Sequence, residues 1–201
     1  MDLFNQTDQI QNLLPKDGTV HYHGFVFSKA ESETLYDIFL ESINWKNDEA
    51  IMYGKRIVTN RKIAWYGDTM SQYSYDKITR DALPFTKELA AMKRKIEALT
   101  GETYNSCLLN LYHNGSEGLS WHSDDEDFFK KNSAIASISF GATRKFVFKH
   151  KDTKEVVSLI LEPGSLLVMK DETQTHWLHS LPPTKKTQKP RINLTFRTMV
   201  K

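Results

Sequence analysis

The stretch LSWHSDDED, Leu119 to Asp127, sets one imidazole, His122, two residues before a carboxylate, Asp124, and follows it with Asp125, Glu126 and Asp127. On an extended segment residues i and i+2 share a face, so His122 and Asp124 can converge on one ion. Alone, such a pair reads most simply as a solvated acidic loop. A second histidine, His179, lies near the end of the apolar run THWLHSL, and Arg191 follows in KPRINLTFR. Two histidines and one carboxylate on one side of a metal leave coordination positions open, as in non-haem Fe(II) oxygenases, although zinc is chemically admissible. His176 competes for the second histidine role, but its odd spacing aims it away if His179 points inward on a strand.

Arg191 and Arg197 share a strand face with Asn193 and Thr195, while Leu194 and Phe196 take the other. A zinc hydrolase does not require this pair of arginines. A guanidinium buried in a barrel mouth calls for a bidentate carboxylate, and no strand acid stands nearby, so a dicarboxylate cosubstrate would satisfy both. Asn110 and Tyr112 in LLNLYHNG repeat the alternation, with Leu109 and Leu111 turned the opposite way.

These residues need a scaffold that brings distant segments together. Two helices are predicted, in SKAESETLYDIFLESINW, where Ser28 and Glu31 form a capping box, and in LPFTKELAAMKRKIEALTG, where Leu89, Met92, Ile96 and Leu99 follow helical spacing between Pro84 and Gly101. From Ser106 onward come seven short apolar, β-branched or aromatic runs: CLLNLYH, AIASISFG, RKFVFKH, EVVSLILE, GSLLVMK, THWLHSL and RINLTFRTMV. Turn-like breaks at near-regular spacing separate them, which favours a sandwich, jelly roll or barrel over alternating βαβ units.

Taken together, NLYHNGSEGLSWHSDDE, ASISFGATRKFVFKH and HWLHSLPPTKKTQKPRINLTFR resemble the AlkB family of Fe(II)- and 2-oxoglutarate-dependent dioxygenases, over roughly Met52 to Thr198. The resemblance implies a mainly β, α+β chain with N-terminal helices and a double-stranded β-helix, or jelly-roll, core. It implies Fe(II) on His122, Asp124 and His179, 2-oxoglutarate on Asn110, Tyr112, Arg191, Asn193 and Arg197, and O2 as the oxidant. One domain over 1–201 is expected, with a helical and nucleotide-recognition region at 1–104 and the jelly-roll catalytic core at 105–201.

The implied substrate is an alkylated nucleobase of the N1-methyladenine or N3-methylcytosine type, in DNA and as a second candidate RNA, which is demethylated oxidatively. The segment MYGKRIVTNRKIAWYGDTMSQYSY mixes aromatic and basic residues, the combination that stacks bases and meets phosphates. By resemblance Tyr73 and Tyr75 wall a base pocket with His122 on the other side of the base, Tyr53 occupies a hairpin position where duplex-acting relatives insert an apolar finger, and Arg61, one of the basic residues of this segment, also binds substrate. Asp125 and Glu126 would accept hydrogen bonds from an exocyclic amine. Arg144, Lys145, Lys149, Lys151, Lys154, Lys185, Lys186 and Lys189 would rim the barrel toward phosphates. The alternative is a 2-oxoglutarate oxygenase acting on a protein or small molecule, and a noncatalytic nucleic-acid module is a further rival.

Composition bounds the rest. The 201 residues are 39% hydrophobic, long enough for one sizeable core, and the formal net charge of +2 announces no polyanionic partner by itself. The single cysteine, Cys107, lies in an apolar run and reads as a small buried hydrophobe in a reducing compartment. Nowhere do 18 apolar residues run together, so a soluble, intracellular monomer is expected, cytoplasmic in a bacterium and nuclear in a eukaryote.

Overall fold

Alternation of side chains across a strand and helical stripes of apolar residues dictate most of the architecture. The structure, a computed structural model, describes residues 10–52, 55–68, 72–75 and 78–200. In chain order the elements are β1 (Thr19–Phe25), α1 (Lys29–Ser42), β2 (Lys46–Met52), β3 (Lys55–Gly67), β4 (Gln72–Tyr75), β5 (Ile78–Asp81), β6 (Leu83–Pro84) and α2 (Lys87–Thr100). Then follow β7 (Ser106–Tyr112), β8 (Leu119–His122), β9 (Ile135–Gly141), β10 (Arg144–His150), β11 (Val156–Leu161), β12 (Ser165–Lys170), the short turn α3 (Thr173–His176), β13 (Trp177–Leu181) and β14 (Arg191–Arg197).

Two sheets face each other in a jelly roll. The larger has the order β1-β12-β9-β14-β7-β3-β2, with β6 beside β3, and the smaller the order β11-β10-β13-β8. On the outer face of the large sheet, Leu109, Ile138, Phe140, Ile192, Leu194 and Phe196 are all fully buried in one core with Phe39 of α1 and Leu89, Met92 and Ile96 of α2. Burying each such side chain is worth about 2 kcal/mol. The inner faces enclose a second cluster that includes Phe148, Leu167, Met169 and Trp177.

Both predicted helices form. In α1 the Ser28 hydroxyl accepts the Glu31 N–H at 3.3 Å while Glu31 Oε2 accepts the Ser28 N–H at 2.8 Å, the reciprocal box that satisfies two otherwise orphaned donors. Ser28→Ala should therefore cost about 1 kcal/mol and lower the thermal midpoint by about 2–4 °C, and an unmoved midpoint would show the cap carries no weight. α2 begins on Thr86 and stops at Gly101, whose φ of 71° is the left-handed cap. Cys107 is fully buried, and burial pushes its thiol upward, away from thiolate chemistry.

All seven runs after Ser106 are strands, and the first 104 residues hold more strand than helix alone would give. β1 joins β12 and β3 joins β7, so N-terminal segments complete the large sheet: Ile63 pairs with Asn110 and Tyr22 with Leu167. β1 is the edge strand of that sheet, whereas the apolar positions of β3 are too interrupted by charge to announce an inner strand, and only its pairing with β7 makes it one. No described helix is long and apolar enough to cross a membrane.

Candidate functional site

β14 is buried on both faces, yet one face is polar. Arg191, Asn193 and Thr195 are 2%, 8% and 7% exposed, and they point into the space between the sheets. Register sets their neighbours: Arg191 lies opposite Tyr112, and Asn193 lies between Asn110 of β7 and Ser139 of β9. Gly141 holds the start of this arrangement, because its φ is +78° and a Cβ there would come within 2.5 Å of the Pro190 carbonyl oxygen. The resulting cavity has a volume of about 370 Å³, and its walls include Asn110, Tyr112, His122, Asp124, His179, Arg191, Asn193 and Arg197.

At one end of the cavity, His122, Asp124 and His179 each place a ligand atom within 4.8 Å of the others. His122 and His179 are direct partners in the β8–β13 ladder, which sets their rings 4.2 Å apart between centroids. The Nδ1 of His122 lies 2.8 Å from the Ser120 carbonyl oxygen. A carbonyl only accepts, so Nδ1 carries a hydrogen and Nε2 is the nitrogen available to a metal. Phe146 and Phe148 wall in His179, at 5.5 and 6.2 Å between ring centroids. Burial, with the His122 imidazole, pushes His179 down to about 3, so its ring stays neutral and able to ligate. His176 stands apart, on α3 rather than on a strand, 3.8 Å from Glu172 and stacked on His150.

The Asp124 carboxylate receives Arg197, whose Nη2 is 2.8 Å from both oxygens and whose Nε is 3.2 Å from Oδ2. Burial by itself would raise this carboxyl, but Arg197 and the two imidazoles outweigh it and hold the group below the usual carboxylate range. No acid near the arginines was apparent in the strands, and the structure supplies one for Arg197 from the loop after β8. Arg191 is different. Its Nη2 donates to Ser139 Oγ at 2.9 Å and Asn193 Oδ1 at 2.6 Å, both neutral, and its buried Nε has no partner among the described residues. Burial pushes it down to about 10, which leaves a cation at neutral pH with no countercharge among the described residues.

The three residues most suited to a metal, together with Asn110, Tyr112, Arg191, Asn193 and Arg197, thus line one cavity. The donor set of two imidazoles and an ionised carboxylate fits Fe(II), and the buried Arg191 guanidinium at the opposite end fits a carboxylate of a small diacid. Two serines unmarked in the sequence support this polar face: Ser137 lines the cavity and its Oγ donates to Asn193 Oδ1 at 3.0 Å, and Ser139 accepts from Arg191 behind it. Their signal was available as the two inward positions of AIASISFG. Asp48 was missed for want of any local signal, and it ion-pairs with Arg61 inside the cavity.

The base-recognition residues divide. Arg61 lies in the cavity with its Cζ 5.9 Å from the Tyr112 ring, and Glu126 lines it too, with Oε2 buried and unpartnered among the described residues. Asp125 does not line it. Its exposed carboxylate is 3.3 Å from Lys151 Nζ. Tyr73 and Tyr75 lie on β4, opposite Arg80 and Ile78 of β5, and Tyr53 lies outside the described residues. Arg144 is not a rim residue: at 2% exposure it donates to the carbonyls of Asn114, Glu117 and Pro182, tying two loops together. A guanidinium buried as loops close over it must find acceptors, and here backbone carbonyls supply them.

Comparison with known proteins gives a consistent answer. Residues 18–197 match the family model of the 2OG-Fe(II) oxygenase superfamily. The DNA oxidative demethylase ALKBH2 of Bos taurus is 38% identical over 186 residues, covering 87% of this chain and 67% of that protein. The alpha-ketoglutarate-dependent dioxygenase alkB homolog 3 of Homo sapiens is 37% identical over 188 residues, covering 89% of this chain and 65% of that protein. The solved structure of OsALKBH1 superposes with a TM-score of 0.63 over 94% of this chain and all of the other, at 13% identity, a likeness of fold.

Proposed function

Since this chain belongs to the 2OG-Fe(II) oxygenase superfamily, and within it to the AlkB family, we propose that it is an Fe(II)- and 2-oxoglutarate-dependent oxidative demethylase of alkylated bases in DNA. One observation carries the reading of the site: a buried Arg191 with no countercharge among the described residues, at one end of a cavity whose other end gathers His122, Asp124 and His179. In this reading the three ligands hold Fe(II), and Arg191, with Tyr112 and Asn110, takes the distal carboxylate of 2-oxoglutarate. When bound, Fe(II), 2-oxoglutarate and O2 supply the oxidising power, 2-oxoglutarate leaving as succinate and CO2 and the N-methyl carbon as formaldehyde.

The chain's own groups position and shield. Arg197 orients the Asp124 carboxylate and keeps it ionised, the Ser120 carbonyl selects the His122 tautomer, and Phe146 and Phe148 keep water from His179. Glu126 offers its free oxygen to an exocyclic amine of the base, and Arg61, held by Asp48, lies across the cavity. Tyr73 and Tyr75, with the neighbouring basic residues, supply the stacking that offsets extraction of a base, a cost of a few kcal/mol that a lesion blocking pairing reduces.

The test is a methylated oligonucleotide, carrying N1-methyladenine or N3-methylcytosine, incubated with enzyme, Fe(II), 2-oxoglutarate and air. Each repaired lesion should lighten the strand by one CH2, with one succinate and one formaldehyde formed. Succinate without a mass change would instead select an oxygenase of proteins or small molecules, and neither product would sink the enzyme assignment. Matched DNA and RNA strands, single and paired, at several salt concentrations rank the substrates, since phosphate contacts alone are strongly salt dependent.

A further inference from the structure

Asp124 lies just past the end of β8, where ladder hydrogen bonds no longer hold the backbone. A side chain fifty residues away does so instead: Gln174 Oε1 accepts the Asp124 backbone N–H at 2.9 Å. Because the donor is an N–H, the amide must turn its oxygen to Asp124, and its Nε2 then faces the Met169 sulfur at 3.7 Å. Gln174 belongs to α3, the turn directly before β13 and His179. That turn is anchored by Thr173, 1% exposed, whose Oγ1 donates to the Lys170 carbonyl at 2.6 Å and accepts the Thr19 N–H at 2.9 Å. Lys151 adds a second tie, donating to the Gln174 carbonyl at 2.9 Å and reaching Asp125 Oδ2 at 3.3 Å.

We propose that Gln174 is a positioning residue of the metal centre, setting the distance between Asp124 and His179 by pinning the backbone of one ligand to the turn that introduces the other. The inference rests on the metal assignment made above and adds a residue outside the cavity lining. Arg197 orients the carboxylate of Asp124, and Gln174 orients the backbone that carries it. Without the pin, a connection of the chain must be ordered when the metal binds, and that ordering is subtracted from affinity. Partners that orient metal ligands from behind are typically worth 10–100-fold in metal affinity.

Co(II) is the probe, titrated into the purified full chain and followed by visible absorption, beside urea unfolding of the metal-free protein. The unsubstituted chain should bind Co(II) and His122→Ala should not. Gln174→Leu keeps bulk against Met169 but offers no acceptor. It should weaken Co(II) roughly 10–100-fold while the metal-free urea midpoint stays close to that of the unsubstituted chain. Gln174→Glu retains an acceptor oxygen at the same reach and should recover most of the loss. If Gln174→Leu fails to fold, Gln174→Asn, one methylene short of Asp124, carries the same expectation. Unchanged Co(II) affinity in the Leu or Asn variant, a lowered metal-free midpoint with unchanged affinity, or a Glu variant as weak as Leu would each overturn the proposal. Failure of the unsubstituted chain to bind Co(II) would remove the metal assignment and this inference together, whereas normal binding there with indifferent Gln174 variants removes this inference alone.

Discussion

Asp124→Ala is expected to abolish turnover, leaving less than about a thousandth of the succinate release of the unsubstituted enzyme, a loss of more than about 4 kcal/mol in transition-state stabilisation. Two effects act together. The centre loses its anionic ligand, and the Arg197 guanidinium, which meets both oxygens of that carboxylate at 2.8 Å, then stands beside the site with its positive charge no longer offset by Asp124, which disfavours a divalent ion. Removing one partner of a buried pair also destabilises, by about 3–5 kcal/mol, so activity must be read beside a thermal midpoint. Asp124→Asn separates the two effects. It keeps an acceptor oxygen for Arg197, and so most of the stability, but it is a neutral and poorer ligand, and turnover should stay very low. An Asn variant with normal turnover and normal metal binding would show that this carboxylate is structural.

Arg191→Met is expected to raise the concentration of 2-oxoglutarate needed for half-maximal rate by about 100-fold, the equivalent of roughly 3 kcal/mol for a lost charge-assisted contact in a dry cavity. The direction of the stability change makes the experiment decisive. In the ligand-free protein Arg191 is a buried cation bonded to two neutral oxygens, so an apolar side chain of similar length should leave stability unchanged or increase it. The Asn193 oxygen it leaves still accepts from Ser137 at 3.0 Å, which limits the cost of the substitution. A stable variant that has lost 2-oxoglutarate is what a binding residue gives; a destabilised variant that binds 2-oxoglutarate normally is what a structural arginine gives. Arg191→Lys should fall between, because a point charge cannot reproduce the planar fork.

Much of this site was legible from residue types and spacing, for reasons that can be named. The box of Ser28 and Glu31 and the left-handed stop at Gly101 are interactions within four residues, so they carry their meaning without the rest of the chain. Alternation in RINLTFR and CLLNLY is equally local, and it is enough to put Arg191, Asn193, Asn110 and Tyr112 on one side of their strands and Leu194 and Leu109 on the other. The inward serines of AIASISFG obeyed the same rule and were overlooked only because a hydroxyl in an apolar run is a quiet signal.

Partner choice across long loops belongs to the tertiary structure. Arg197 finds its acid 73 residues away at Asp124, and Gln174 reaches the same residue's backbone across 50. Neither pairing leaves a trace in either local stretch, because it exists only once β8, β13 and β14 have taken their registers. The same closure sinks Arg144 into loop carbonyls, sends Glu126 rather than Asp125 into the cavity, and recruits β1 and β3 into the large sheet. Which side of its own strand a side chain occupies is set by the two-residue repeat of the backbone and can be read from the chain; which group it then meets is set by the non-local registers that align one strand with the next, and only the folded molecule holds that information.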